Sequence, residues 1–177
     1  SKWISTEDSR LVAHQWRASC DAVPVGIGTA LADDPQLTAR IDGVRHQLRR
    51  VVFDATARLP LDSKLVSAAH EVPLVVVVSR AARRSNTDAL ENAGAQVIVA
   101  TGEHEPARVR SALDQLGALD PPVTSVLLEG GPHLAGAFLD GGEIDELRLF
   151  IAPLLLGGRS ARDPLEGEGV DAISDAL

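Results

Sequence analysis

The chain has 177 residues, a length that suits one domain with a sizeable core, and 45% of them are hydrophobic. That composition excludes a disordered chain, and the apolar stretches are strand-sized, far shorter than a membrane span. A net charge of −8 and an aromatic content of 3% argue against a nucleic-acid partner. Cys20 is the only cysteine, so an internal disulfide is excluded and a reducing, cytoplasmic compartment is expected.

Strand and helix patterns alternate along the chain. A capping-box pattern, S-T-E-D at Ser5–Asp8, predicts a helix that ends near Cys20. Further elements are predicted in chain order: strands at Ala22–Gly28, Arg50–Ala55, Leu74–Ser79, Gln96–Ala100 and Glu146–Leu156, helices at Asn86–Ala93 and Glu105–Leu116, and a loop or single helical turn at Leu31–Thr38. Regular alternation with nearly continuous apolar strands predicts a largely parallel sheet covered on both faces.

The most informative segment runs from Val123 to Leu139, where an apolar run ends in Glu129 and is followed by Gly-Gly-Pro. This order predicts a buried strand, a tight turn and a helix that starts at Pro132. The unpaired N–H groups and the dipole of a helix start attract anions, and a glycine there lets a ligand approach the backbone. The segment therefore predicts a phosphate cradle, although a strand–helix turn that binds nothing has the same pattern.

Asp33 and Asp34 lie in a turn-prone stretch after Gly26 and Gly28. The glycine spacing does not complete G-x-G-x-x-G, so a Rossmann dinucleotide site is not predicted. By themselves, the two aspartates are typical of one helix cap and one solvated carboxylate. The five histidines lack metal-ligand spacing, so no metal site is predicted.

Four blocks in the chain resemble one enzyme family when they are taken together. They are S-K-W-I-S-T at Ser1–Thr6, G-T-A-L-A-D-D-P-Q-L-T-A-R at Gly28–Arg40, R-V-V-F-D at Arg50–Asp54 and L-E-G-G-P-H-L-A-G-A-F-L at Leu128–Leu139. The run I-D-E-L-R-L-F-I-A-P-L-L-L-G-G at Ile144–Gly158 continues the match. In this order the blocks resemble the reductase domain of the bacterial riboflavin-biosynthesis deaminase-reductase.

The resemblance implies a dihydrofolate-reductase-like fold, a three-layer α/β/α sandwich around a mixed, mostly parallel sheet. It implies NADPH-dependent reduction of 5-amino-6-(5-phosphoribosylamino)uracil to the ribitylamino product, with hydride transfer to C1′. Residues 1–177 are expected to form a single reductase domain without the family's first strand, which carries a lysine implicated in substrate handling, and without its last strands. A deaminase domain is not expected within the chain, because its zinc motif needs more than one cysteine.

The resemblance also implies site residues. Cofactor contacts fall on Trp3, Thr29, Asp33, Ala55, Gly131, Pro132, His133, Leu134, Ala135, Gly136 and Ala137. Substrate contacts fall on Ser1, Arg17, Leu37, Arg40 and Glu129. Arg17 and Arg40 are expected to hold the substrate phosphate, and the catalytic candidates are Glu129 and Asp33. Ala55 replaces a serine of some members, so a hydroxyl contact is lost there.

Three interpretations stay open. The first is this reductase, expected as a homodimer and with a possible deaminase domain in a longer parent chain. The second is a related NADPH reductase of the same fold that acts on another substrate, such as a pterin-like or diamino-pyrimidinone compound. The third is a non-catalytic nucleotide-binding module. Retention of both Arg17 and Arg40 favours a phosphorylated substrate and hence the first interpretation.

Overall fold

The structure, a computed structural model, describes residues 4–41, 48–155, 157–158 and 163–175. Ser1 and Trp3, which are predicted site residues, lie outside these ranges. Within the ranges, no helix is both long enough and apolar enough to cross a bilayer.

Four strands form a parallel sheet in the order β1-β2-β3-β4. They are β1 (Ala22–Gly26), β2 (Arg49–Phe53), β3 (Leu74–Val78) and β4 (Gln96–Val99). The helices are α1 (Glu7–Ser19), α2 (Ile27–Asp33), α3 (Lys64–Ser67), α4 (Arg84–Asn92), α5 (Glu105–Gly117) and α6 (Pro132–Asp140), with a short 3-10 helix at Ile173–Asp175. All three strand pairs are parallel, as predicted, and the described residues contain no antiparallel strand.

Neighbouring valines on one strand point to opposite sides of the sheet, so both faces are apolar. Helices cover both of these faces. On one face, Val52 and Val76 pack in a cluster that includes side chains of α2, α3 and α4. On the other face, Val51 and Val75 pack with Ala112 and Leu116 of α5. Next to that second cluster, Phe138 of α6 packs edge-on against Phe53, with ring centroids 5.7 Å apart. The predicted three-layer arrangement is thus present in the described residues.

Several predicted boundaries are wrong by a few residues. The first helix is capped by Thr6, whose Oγ1 accepts a hydrogen bond from Ser9 N, one residue later than the predicted capping box. The first strand ends at Gly26 instead of Gly28, since α2 begins at Ile27 and takes up the first residues of the predicted loop. The segment before Glu129 runs beside β1, but it forms only one isolated parallel bridge, Ala22 to Val126, and not the full strand that the sequence predicts.

The strand predicted at Glu146–Leu156 is absent from the described part of this segment, residues 146–155. A strand needs a hydrogen-bonded neighbour, and the backbone bond described here is a local one, from Leu154 N to Ala152 O. The segment is attached through side chains instead: Phe150 stacks on Trp16 of α1 at 5.1 Å, and the Arg148 guanidinium lies 4.7 Å from the Trp16 ring centroid. Its apolar side chains are therefore mostly exposed.

Arg50 of β2 is a buried cation, with 1% of its surface exposed. Its Nη2 donates to the carbonyl oxygens of Ala68 and Val72, which lie in the turn after α3. Burial lowers the pKa of Arg50 to about 10, so the side chain stays charged at neutral pH. The guanidinium therefore gives the Val72 carbonyl a charged donor and adds a third bond to the Ala68 carbonyl, which also accepts the N–H groups of Glu71 and Val72.

Asp21 ties the start of β1 to the segment that runs beside it. Its Oδ2 accepts hydrogen bonds from the N–H and hydroxyl groups of Thr124 and Ser125, at 2.8 to 3.0 Å. These bonds, those from Thr124 first, lower the pKa of Asp21 from 3.8 to about 2. The charged carboxylate thus helps to fix the chain that leads into Glu129.

Replacing Arg50 with methionine should lower the free energy of unfolding by about 1–3 kcal/mol, because the Val72 carbonyl loses its charged donor. Urea unfolding followed by circular dichroism measures this change. Arg49→Met is the matched control, since Arg49 is the preceding residue of β2 and is not fully buried. Equal losses in the two variants would contradict the role given to Arg50.

Asp21→Asn should cost about 1–2 kcal/mol at pH 7, a figure reduced for partial exposure of the carboxylate. Because the folded-state pKa is lowered, the stabilisation is complete above the ordinary value of 3.8 and disappears as the pH falls towards 2. Urea unfolding at pH 7 and again near pH 2 should therefore show the two proteins converging in acid. A difference that stays constant with pH would refute this assignment, and the exposed Asp62→Asn serves as the control.

Candidate functional site

Two helices begin beside the carboxyl end of β1. The β1 strand leads into α2 through Gly26, and the neighbouring segment leads into α6 through Gly131. The two helix starts lie next to each other: a Cβ atom added at Gly131 would lie only 3.5 Å from Thr29 Oγ1 of α2. The N-cap residue of each helix is a glycine, which has no side chain to cap the first N–H groups. The predicted cradle is thus a helix start whose N–H groups are available to an anion.

Arg17 and Glu129 form a two-pronged ion pair at the same edge. Arg17 Nε donates to Glu129 Oε1 at 2.6 Å, and Nη2 donates to Oε2 at 2.5 Å. Both side chains are partly buried, with 18% and 25% of their surface exposed. Arg17 Nη1 also donates to the carbonyl oxygen of Thr38 at 3.2 Å. One guanidinium therefore joins α1, the segment after α2 and the end of the β1-adjacent segment.

The segment after α2 brings Leu37 and Arg40 to this ion pair. Arg40 is exposed; its backbone N–H donates to His14 Nδ1 at 3.3 Å and its Nη2 to Gln36 Oε1 at 2.6 Å. Leu37 has a φ of 53°, and only 3% of its surface is exposed because its side chain packs in the core. Burial, and then the charges of Arg17 and Arg40, lower the pKa of His14.

The two adjacent aspartates separate as their local pattern predicts. Asp34 is the C-cap of α2, and its Oδ1 accepts the Lys64 N–H at 2.9 Å while Oδ2 lies 3.3 Å from Lys64 Nζ. The hydrogen bond from Lys64 N, above all, lowers the pKa of Asp34. Asp33 is exposed at the end of α2. Asp34 thus ties the end of α2 to the start of α3, whereas the Asp33 carboxylate is open to solvent.

A cavity of about 60 Å³ opens beyond the carboxyl ends of β2 and β3. Ala55 lines it together with Asp54 and Ser79, and residues of the first turns of α5, including Glu105, complete it. A shallower groove of about 330 Å³ continues past Ser79 towards Arg80 and Arg108. Ala55 is therefore exposed beside a cavity, although its carbonyl oxygen is taken by Ser79 N and Oγ, at 3.0 and 2.8 Å.

The predicted cofactor residues of α6 differ in their accessibility. Gly131, Pro132, His133 and Ala135 are at least partly exposed at the helix start, whereas Leu134, Gly136 and Ala137 are buried. The backbone of Gly136 touches the returning chain so closely that an added Cβ would lie 1.5 Å from Glu166 O. The exposed residues could thus touch a cofactor directly, whereas the buried ones could not.

His133 links the starts of α6 and α5. Its Nε2 lies 2.9 Å from Glu105 Oε2, and its Nδ1 lies 3.6 Å from Glu166 Oε2. The chain at Glu166 is also held by a hydrogen bond from its N–H to Pro132 O. His133 therefore has protein partners beside the cradle. The described residues contain no group of three or more side chains suited to a metal ion.

Sequence patterns missed two contributors to this edge. Thr38 contributes only its carbonyl oxygen to Arg17, and a backbone acceptor leaves no mark in a sequence. His14 was grouped with the other histidines, but its position three residues before Arg17 places it on the same face of α1. That helical spacing is the signal by which His14 could have been found.

Comparisons with known proteins agree with this architecture. The family model described as the RibD C-terminal domain matches residues 1–176. The chain is 36% identical over 179 residues to the 2,5-diamino-6-ribosylamino-4(3H)-pyrimidinone 5′-phosphate reductase of Methanothermobacter thermautotrophicus, covering 100% of this chain and 80% of that protein. It is 39% identical over 178 residues to the riboflavin biosynthesis protein RibD of Mycobacterium tuberculosis (strain H37Rv), covering 100% of this chain and 42% of that protein.

Solved structures extend the likeness to three dimensions. Form 1 of Acinetobacter baumannii RibD has a TM-score of 0.72 and 30% identity, covering 100% of this chain and 46% of that one. A pyrimidine reductase-like protein of Corynebacterium diphtheriae, at 22% identity and a TM-score of 0.77, shares the fold. This chain therefore spans less than half the length of these RibD proteins, and the dihydrofolate-reductase-like fold is confirmed. The matched family model, the relatives and the fold together make this chain a member of the RibD C-terminal domain family, a family of reductases in riboflavin biosynthesis.

Proposed function

We propose that this chain binds NADPH at the α6 start and reduces the ribosyl group of 5-amino-6-(5-phosphoribosylamino)uracil to the ribitylamino product. The observation that carries the proposal is the shared edge of the sheet, where the uncapped α6 start lies beside Thr29 while Arg17, Glu129 and Arg40 cluster next to it. An anion cradle and a cation–carboxylate cluster at one edge suit two phosphate-bearing ligands that must meet.

The residues at the edge fit a nicotinamide dinucleotide. The N–H groups at the α6 start and the absence of a Cβ at Gly131 suit a pyrophosphate. Thr29 Oγ1 and Asp33 offer hydrogen-bonding groups on the facing helix, and the exposed Ala55 lines a neighbouring cavity. When bound, NADPH supplies the hydride, and the protein supplies its orientation and electrostatic surroundings.

Arg40 is the first candidate for the substrate phosphate, because its guanidinium is exposed and its one side-chain partner among the described residues is Gln36. Arg17 already uses three of its five N–H groups on Glu129 and Thr38, so two remain for a further acceptor. A phosphate bound by both arginines would lie beside Glu129, and the attached sugar would then lie near that carboxylate.

Glu129 is proposed to orient the ribose hydroxyls while the opened sugar receives hydride at C1′. The Arg17 fork fixes the plane of the carboxylate, which gives it a definite direction for accepting hydroxyl hydrogens. Asp33, exposed at the end of α2, is proposed to help position both ligands. The proton that accompanies the hydride comes from a side chain near C1′ or from water.

The diamino-pyrimidinone phosphate is a second candidate substrate, favoured by one observation. The archaeal relative at 36% identity, of which this chain covers 80%, is named for that compound. Both substrates carry the phosphate and the ribosylamino group that the arginine and carboxylate cluster would bind. They differ on the pyrimidine ring, where one carries an amino group and the other an oxygen.

Partners of the whole protein are also proposals. Longer RibD relatives suggest a parent chain with a deaminase domain, and a Thermotoga maritima relative is named as such a deaminase and reductase. The exposed apolar side chains of residues 147–155 suit a homodimer, in which a second copy would cover them. The proposed domain organisation remains a single reductase domain over residues 1–177.

NADPH oxidation with each of the two pyrimidine substrates tests the function. Turnover of the uracil compound, with a kcat/KM at least tenfold higher than that for the diamino compound, is the expected result. The reverse preference would select the second candidate. NADPH binding without turnover of either compound would favour a non-catalytic module, and no binding of NADPH or NADH would refute the proposal.

Glu129→Gln should leave the dissociation constant of NADPH nearly unchanged and lower kcat by roughly 10- to 100-fold, because the neutral amide binds hydroxyls less strongly and loosens the Arg17 fork. Steady-state kinetics and fluorescence titration with NADPH separate the two effects. The control is Glu91→Gln, on the exposed surface of α4. Unchanged turnover in the Glu129 variant would remove this residue from the chemistry.

A further inference from the structure

Asp54 is a fully buried carboxylate at the carboxyl end of β2, with 0% of its surface exposed. Its Oδ2 accepts hydrogen bonds from the N–H groups of Arg58 and Leu59, at 2.5 and 2.8 Å. Its Oδ1 is also buried and has no hydrogen-bond partner in the part of the chain that the structure describes. Arg58 Nε lies 3.9 Å from Oδ1, beyond hydrogen-bonding distance, on a side chain that is 60% exposed.

The bonds to Oδ2 shape the turn that carries Ala55. The turn reverses through Ala57, which has a φ of 56°, and Ala57 N donates to Asp54 O at 3.1 Å. Asn86 Nδ2 holds Ala57 O from α4, at 3.1 Å. Asp54 therefore fixes residues 55–59 from inside, as an aspartate does in an Asx turn.

The turn by itself does not require a charge. An asparagine would accept the same two N–H bonds with its carbonyl oxygen, without the cost of burying an anion. A buried carboxylate with one unpaired oxygen destabilises the ligand-free protein. The unpaired Oδ1 of Asp54 therefore lowers the stability of the ligand-free fold. Buried polar groups without a partner are concentrated at functional sites.

The surroundings of Asp54 indicate what would bind there. It lines the cavity of about 60 Å³ next to Ala55. Glu105 also lines that cavity, and its Oε2 lies 2.9 Å from His133 Nε2 at the α6 start. The cavity thus adjoins the proposed pyrophosphate cradle. Arg108 also lines the cavity, but the Oδ1 atom of Asp54 can pair only with a hydrogen-bond donor, which a hydroxyl group or a water molecule supplies and an ionised phosphate oxygen does not.

We propose that Asp54 belongs to the cofactor site: Oδ2 positions the turn of Ala55, and Oδ1 accepts a hydrogen bond from a ribose hydroxyl next to the pyrophosphate of the bound dinucleotide. This inference rests on the proposed function, because it needs the dinucleotide at the α6 start. It assigns a ligand contact to a residue that the family resemblance leaves without one, and it gives the unpaired oxygen its donor.

Asp54→Asn tests the proposal, because the amide keeps an acceptor for the turn and replaces Oδ1 with a donor. The variant should bind NADPH roughly tenfold more weakly by isothermal titration calorimetry, which corresponds to about 1.4 kcal/mol. Its ligand-free melting temperature should fall by no more than about 3 °C, since a buried charge has been removed. Asp62→Asn, in the exposed loop that follows, should change neither quantity.

A lowered melting temperature with unchanged NADPH affinity would make Asp54 a purely structural residue and overturn the proposal. Hydrogen exchange on the unsubstituted chain gives a second test that does not depend on the variant folding. NADPH should slow exchange at the Arg58 and Leu59 amides, and unaltered exchange at both would equally overturn the proposal. If the unsubstituted chain binds NADPH but Asp54→Asn has no effect on affinity, only this inference fails and the proposed function stands.

Discussion

The parallel alignment of β1 with its two neighbours is the constraint on which the rest of the structure depends. β2 pairs with β1 on one side, and on the other side Leu127 N and Glu129 N donate to the carbonyl oxygens of Ala22 and Pro24. Because the strands run in one direction, every chain that leaves this part of the sheet does so at the same edge. Helix starts, the Arg17–Glu129 pair and the Asp54 turn meet there for that reason.

The edge has two electrostatic halves in a chain whose net charge is −8. On the β1 side, Arg17 and Arg40 supply positive charge next to one carboxylate, Glu129. On the β2 and β3 side, buried Asp54 and nearby Glu105 line a cavity together with one cation, Arg108. The helix start of α6 separates the two halves. Local placement of charge, and not the net value, therefore decides which ligand groups each half accepts.

The sequence patterns predicted the fold well and the site in part. Apolar runs located all four strands of the sheet, because strands buried on both faces leave a nearly continuous signal. The same signal was misleading at residues 146–155, where apolar side chains occur without a hydrogen-bonded neighbour. Family motifs brought Arg17, Arg40 and Glu129 to one place, whereas the role of Asp54 depends on a buried oxygen that only coordinates reveal.

The contact between Gly136 and the returning chain bears on how this protein tolerates changes in length. The chain leaves α6 at Asp140 and comes back to the same helix at Glu166, where Glu168 N and Gly169 N donate to the Asp140 carboxylate. Both ends of the chain between Asp140 and Glu166 are thus held by α6. The entropy of closing a loop grows only logarithmically with its length, so insertions between these anchors cost little and leave the helix in place.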